Sequence, residues 1–496
     1  MSKIFSVGTH VGYDMTQRPN VLLVILDGVR AANTSLHGYN RQTTPFLEDF
    51  AESATRYSHA IAPAPKSITS HASMFTGMHA VEHGLTNRGH ALSTGHTIWE
   101  HLAGEYGYGT GVFSSNLYLT ELDVGLQSAF DTVCDGRTAR LPFPGAVDPY
   151  SFKTNDGVDI SGFLQETLKS RTPVRSIVNA VILQANALMP WAIPKWFKPE
   201  DMDGDLFVNE FLSWIPDDAP WAACVNLMDT HYPYHPRPEH NLWGNEALIS
   251  EMYDLPLGWG AIAEDKMDRL EDIESLYDCT IRQADTAVKC IIEGLKQKSM
   301  LEDTLVVITA DHGEGFGERS YIRDMPCSGH GVGGGIDEPL LHVPLLVKAP
   351  QQKRKEEIAK PVSLTSFPAA VKQLLDGDEP SFDHHDVVAS MAGLDEYSAE
   401  RARKSLTEEQ MEPYWHDARV VYNKTEKETI LKHMKCGESK ETIEIDSQGN
   451  VIGTEVDAEN IVDTAFGQFQ STDVLRGSQD SVDDSVKERL SDLGYA

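Results

Sequence analysis

Five runs of apolar, often β-branched residues punctuate the chain: Val21–Leu26, Gly109–Ser115, Trp221–Met228, Thr304–Ala310 and Val343–Val347. Each is short, almost free of charge and bounded by polar or turn-forming residues. Runs without polar alternation predict strands covered on both faces. Helical patterns lie between them. Thr44–Ser53 opens with Thr44 as a cap and Pro45 at the first helical position. A Pro/Ala-rich approach, Ala60–Pro65, leads into a small-residue helix over Ser67–Thr76, and another helix is expected around Thr97–Glu105. A long helix spans about Lys266 to Lys296, because Leu270, Ile273, Tyr277, Ile281, Ala284, Val288, Ile291 and Leu295 recur at helical spacing. Strand and helix alternate to about residue 375. That order predicts an α/β fold, a mostly parallel central sheet flanked by helices.

Beyond that point the pattern changes. Val420–Tyr422, Thr429–His433, Glu441–Ile445 and Val451–Thr454 read as short strands, with a turn at Ser447-Gln448-Gly449-Asn450. The expected organisation is a catalytic domain over 19–375, a C-terminal subdomain with a small antiparallel sheet over 376–470, and an acidic tail over 471–496. No internal repeat is found. The uncharged stretch Ile177–Pro194 reads as an amphipathic helix and turn, suited to a lid.

Charge narrows the function classes. Among 496 residues, 75 are acidic and 42 basic, a formal net charge of −33. A field of that sign repels nucleic acid and anionic membranes, so no nucleic-acid partner is expected, and membrane contact is a minority reading confined to Ile177–Pro194. An anionic substrate would need local positive charge at the site. Acid excess spread along the whole chain suggests a halophilic protein, with fold and activity best in molar KCl. The six cysteines form no CxxC pair, and Cys279 and Cys290 read as core residues of the long helix. A reducing, cytoplasmic setting is expected. Met1–Arg18 is polar and mixed, unlike a signal peptide, and Val21–Leu26 is too short to span a bilayer.

Candidate chemistry sits where apolar runs end. Val21–Leu26 stops at Asp27-Gly28, and Thr304–Ala310 stops at Asp311-His312-Gly313-Glu314. In open α/β sheets ligands bind outside the carboxyl ends of strands. Metal-ligating side chains delivered there describe a metallohydrolase. Ser67, at a helix start, is a candidate nucleophile, although taken alone a plain N-cap is the better account of it. Asp-Gly is also a common turn pair. Arg30 reads as structural, and Glu314 and Glu318 as supporting or exposed. Asp383-His384-His385-Asp386 reads as a solvated turn, and His79, His83, His235 and His240 lack partners at convincing spacing.

Taken together, these segments resemble the sulfatase family of the alkaline phosphatase superfamily. The resemblance rests on Asn20–Arg30, Thr44-Pro45-Phe46-Leu47, Ser67–Gly77, Asp229-Thr230-His231-Tyr232-Pro233-Tyr234, Asp311–Glu314 and Gly329-His330-Gly331, and extends to the ending Glu488–Tyr495. It implies an ester hydrolase of alkaline phosphatase type. Asp27, Asp311 and His312 would hold one divalent metal, and Ser67 would be the nucleophile. His231 and His330 would contact the oxyanion or a leaving-group oxygen. His71 and Asn116 fall at substrate-contacting positions. With two carboxylates and an imidazole, Mn²⁺ or Zn²⁺ is favoured, with Ca²⁺ and Mg²⁺ open. A second metal on Asp229, His231 and His330 stays open too.

The departures are informative. Sulfatases convert Cys or Ser to formylglycine where x-Pro/Ala-x-Arg follows, but here Thr69 and His71 stand at those positions. The family's paired Asp-Asp is Asp27-Gly28. The remaining set suits an unmodified serine and phosphoryl chemistry on a sugar, lipid-headgroup or other small-molecule ester. A true sulfatase is the alternative, and an inactive binding protein with this fold is the alternative of another class.

Overall fold

The computed structural model of the chain describes residues 18–136, 143, 146, 147, 149–154, 157–188, 204–252, 259, 269–323, 325–383, 386–425, 429–446, 449–455 and 460–477. Part of the Ile177–Pro194 stretch, residues 384 and 385, 447 and 448, and the tail from 478 onwards lie outside these.

Eight strands form the central sheet: β1 (Asn20–Leu26), β2 (Thr55–Ile61), β3 (Gly109–Phe113), β4 (Thr132–Cys134), β5 (Trp221–Leu227), β6 (Thr304–Thr309), β7 (His342–Lys348) and β8 (Glu356–Ser363). Their order is β8-β2-β7-β6-β1-β5-β3-β4. Only β7 runs antiparallel, to both β6 and β2. The expected parallel α/β sheet is therefore present. Every residue of Val21–Leu26 and of β5 and β6 is buried, as strands covered on both faces require.

The helices used below are α1 (Pro45–Ala51), α2 (Ser67–Thr76), α3 (Ile98–Tyr106), α4 (Ile160–Lys169), α5 (Pro173–Leu188), α6 (Gly204–Trp214) and α7 (Leu270–Gln297). α7 buries Ile273, Leu276, Tyr277, Ile281, Ala284, Val288 and Ile291 along one face. Thr97 caps α3 reciprocally with Glu100. Thr44 precedes α1, but its hydroxyl instead accepts the Leu36 N–H at 3.0 Å. The Asp285 carboxylate of α7 takes the capping task, accepting the Phe46 and Leu47 N–H groups at 2.9 and 3.0 Å. Cys279 is buried but Cys290 is exposed, so only one of the pair is a core residue.

A second, five-stranded antiparallel sheet follows: β9 (Val388–Met391), β10 (Ala418–Lys424), β11 (Ile430–Cys436), β12 (Ser439–Ile445) and β13 (Val451–Glu455), in that order. Its apolar face joins the main core: Ala389, Val420, Met434 and Ile443 belong to the same buried cluster as β1 and β6. No described helix is long and apolar enough to cross a membrane.

Candidate active site

β1 lies between β5 and β6, and both pairings are parallel. Ile25 is level with Thr309 in that register. Two residues further on, each strand delivers a carboxylate to the same end of the sheet, Asp27 from β1 and Asp311 from β6. Asp27, Asp311 and His312 each offer an atom within 4.8 Å of the others, and all three are buried. They are the only such group of metal-ligating side chains among the described residues.

One oxygen of each carboxylate is held by the fold. Asp27 Oδ2 accepts hydrogen bonds from the Asn116 and Asn226 side-chain amides at 2.9 and 3.1 Å. Asp311 Oδ1 accepts the Gly28 and His312 N–H groups at 3.1 and 3.0 Å. Asp27 Oδ1 is buried and accepts no hydrogen bond. Asp311 Oδ2 faces His312 Nε2 at 3.3 Å and His71 Nδ1 at 3.7 Å. Two buried carboxylates pointing free oxygens at one place are costly without a cation. Burial would raise the Asp311 pKa, but His312 and His71 outweigh it and hold it below the ordinary value. His312 Nδ1 lies 2.9 Å from the Gly313 carbonyl, which makes Nδ1 the protonated nitrogen and leaves the Nε2 lone pair for a ligand. These donors fit a small divalent metal.

Ser67 is the first residue of α2, and the cap position falls on Lys66. The plain N-cap account of Ser67 is thereby removed. Its Oγ lies 3.0 Å from His312 Nε2. The helix is pinned there by Ser70, whose hydroxyl donates to the Asp311 carbonyl at 2.6 Å. The N–H groups and dipole at the start of a helix favour an anion at this end.

His330 closes the other side. Its ring stacks on His312 with centroids 4.6 Å apart and meets His231 edge-on at 5.0 Å. Its Nδ1 lies 3.2 Å from both Glu314 oxygens. Burial alone would lower the His330 pKa, but the Glu314 carboxylate outweighs it and raises it. Burial holds the His231 pKa down. Tyr234 donates to Glu314 at 3.2 Å. Arg30 is buried on Phe316, donates to the Glu314 carbonyl at 3.2 Å and pairs with Glu274 and Glu318. Its structural reading holds.

The fold thus gathers Asp27, Ser67, His71, Asn116, His231, Asp311, His312 and His330 around one end of the sheet. Asn116 faces Asp27 and also accepts the Tyr118 N–H at 3.0 Å. His71 Nδ1 meets the Ser67 carbonyl at 2.7 Å. Asp229, His231 and His330 do not bring three ligand atoms within 4.8 Å of one another. Asp229 accepts from Gln283 at 2.6 Å instead. Sequence reasoning missed Asn226, although a lone asparagine inside the apolar run Trp221–Met228 was a readable signal.

A model of the Sulfatase family matches residues 19–377. The chain belongs to the sulfatase family. Arylsulfatase K of Canis lupus familiaris is 21% identical over 381 residues, covering 70% of this chain and 62% of that protein. The ulvan-active sulfatase of Formosa agariphila is 20% identical over 307 residues, covering 61% and 52%. The chain therefore spans less than two thirds of these relatives' length. Among solved structures, a phosphonate monoester hydrolase of Agrobacterium radiobacter superposes with a TM-score of 0.56 at 16% identity, covering 88% of this chain and 91% of that one. At that identity the likeness establishes the shared fold. Family members are ester hydrolases that bind a divalent metal.

Proposed function

We propose that the chain is a metal-dependent ester hydrolase with Ser67 as nucleophile, acting on phosphate esters, or transferring phosphoryl groups, in preference to sulfate esters. Asp27, Asp311 and His312 hold the metal, which when bound lowers the pKa of a neighbouring hydroxyl and neutralises charge on the substrate oxygens. Ser67, anchored at the start of α2, attacks phosphorus in line with the departing alkoxide. The first-turn N–H groups of α2 receive the non-bridging oxygens. His330, whose pKa the Glu314 carboxylate raises, gives a proton to the leaving oxygen, and His231 orients it. Water or an acceptor alcohol then releases the phosphoserine.

The observation that carries this reading is the Ser67 hydroxyl directed at His312 while Thr69 and His71 occupy the positions that a formylglycine signal needs. The second reading, a true sulfatase, is favoured by the names of the curated relatives. Mass spectrometry of the peptide containing Ser67 separates the two. The proposal expects unmodified serine in resting protein and phosphoserine after quenched turnover of a phosphoester. An aldehyde at position 67 would overturn it in favour of the sulfatase reading.

A further inference from the structure

Eleven large apolar side chains are exposed among the described residues, and six of them lie on α4 and α5. Ile160, Leu164 and Leu168 follow each other at i, i+4 and i+8, and Val174, Ile177 and Val181 at i, i+3 and i+7. Each set therefore forms one stripe along its helix. Leu168 is 78% exposed, Val174 72%, Ile160 64% and Val181 60%. A soluble surface rarely concentrates apolar area in this way without a partner.

Charge identifies the partner. From Thr167 to Leu188 there is no acidic residue, while Arg171 and Arg175 sit at the junction of the helices beside Lys169, which pairs with Glu166 of α4 at 3.5 Å. The acid-free run continues in the sequence to Pro199, a span of 33 residues in a chain with 75 acidic side chains. Apolar stripes beside Lys and Arg suit a helix pair lying in the headgroup layer of an anionic bilayer. An isologous dimer through the same patch would set these cations against their own copies. The insertion leaves the sheet at the carboxyl end of β4 and rejoins at Gly204, beside Asp229. Both points lie on the side of the sheet that carries Ser67.

We infer that α4 and α5 form a docking surface for an anionic lipid bilayer, holding the site side of the molecule towards the membrane. The inference does not depend on which ester is cleaved. The test is flotation of the full chain with vesicles of equal parts dioleoyl phosphatidylglycerol and dioleoyl phosphatidylcholine, against phosphatidylcholine alone. It is run in dilute buffer and in molar KCl, with light scattering for oligomeric state. The wild-type chain should float with the anionic vesicles. Leu168→Glu/Val174→Glu/Val181→Glu should reduce the bound fraction about tenfold or more. Arg171→Glu/Arg175→Glu should remove the preference for anionic lipid in dilute buffer while leaving the apolar component in KCl. Circular dichroism confirms that the variants are folded, and every substituted side chain is at least partly exposed. Wild-type protein that ignores both vesicles overturns the inference. So does a triple variant that floats as well as wild type, or a dimer that the triple variant dissociates without any vesicle binding.

Discussion

Replacing Asn226 by leucine should weaken metal binding while leaving all three ligands in place. Its amide divides two hydrogens between Asp27 Oδ2 at 3.1 Å and Ser114 Oγ at 3.0 Å. Leucine has similar bulk and no donor, so Asp27 keeps only the Asn116 contact. A hydrogen bond to a charged group contributes about 1.5–3 kcal/mol. That corresponds to a loss of roughly 10- to 100-fold in affinity, the range seen when residues supporting metal ligands are removed. Isothermal titration with Mn²⁺ of wild type, Asn226→Leu and Asp27→Asn reads the effect. Asp27→Asn should abolish binding and Asn226→Leu should fall between. An Asn226→Leu affinity within about twofold of wild type, with Asp27→Asn silent, would show that Asp27 is a ligand needing no orientation, and the reasoning would fail. Unchanged binding in both would remove Asp27 from the site.

Further outcomes follow from the same geometry. Removing metal with EDTA should lower the melting temperature, because Asp27 and Asp311 then repel each other in a buried site. Asp311→Asn should gain no stability from added Mn²⁺. Gly313→Ala should destabilise the chain by about 3 kcal/mol or more in urea unfolding, since a Cβ there would meet the Pro339 carbonyl at 1.9 Å and displace the Asp311-His312 turn. His83 accepts the Leu85 N–H at Nδ1 and bonds Ser73 at Nε2, so the fold requires the neutral ring. Burial pushes its pKa down to about 3, from an ordinary 6.5. The unfolded chain binds the extra proton between those values, so stability is present above about pH 6.5 and declines as pH falls towards 3. In His83→Gln that slope should flatten in urea titrations between pH 4 and 7.

Much of this was legible in the sequence for a physical reason. β1 and β6 are buried on both faces, so they read as unbroken apolar runs, and an aspartate ending such a run stands out. The sheet margins are quieter. β8 reads Glu356-Glu357-Ile358-Ala359-Lys360-Pro361, polar and interrupted, because an edge strand faces solvent and Pro361 falls where its register with β2 shifts. β2 alternates polar and apolar residues and was read only as part of an approach to α2. The cap of α1 was misread because the carboxylate that supplies it, Asp285, lies 240 residues away in sequence on α7. For Asn226 and Glu314 the residue is visible in the sequence but its partner is not. Their roles depend on what faces them, and only the paired strands bring Asp27 to one and His330 to the other.

The central claim is serine-dependent phosphoester chemistry at the Asp27, Asp311 and His312 centre. The most direct test is a side-by-side hydrolysis assay in high KCl. It compares p-nitrophenyl phosphate, the bis-p-nitrophenyl phosphodiester and p-nitrophenyl sulfate, each with Mn²⁺, Zn²⁺, Ca²⁺ or Mg²⁺, for wild type and Ser67→Ala. The account predicts metal-dependent cleavage of a phosphoester, faster than the sulfate and lost in Ser67→Ala by about a thousandfold or more. Preferential cleavage of the sulfate, or phosphoester turnover that survives in Ser67→Ala, would contradict it.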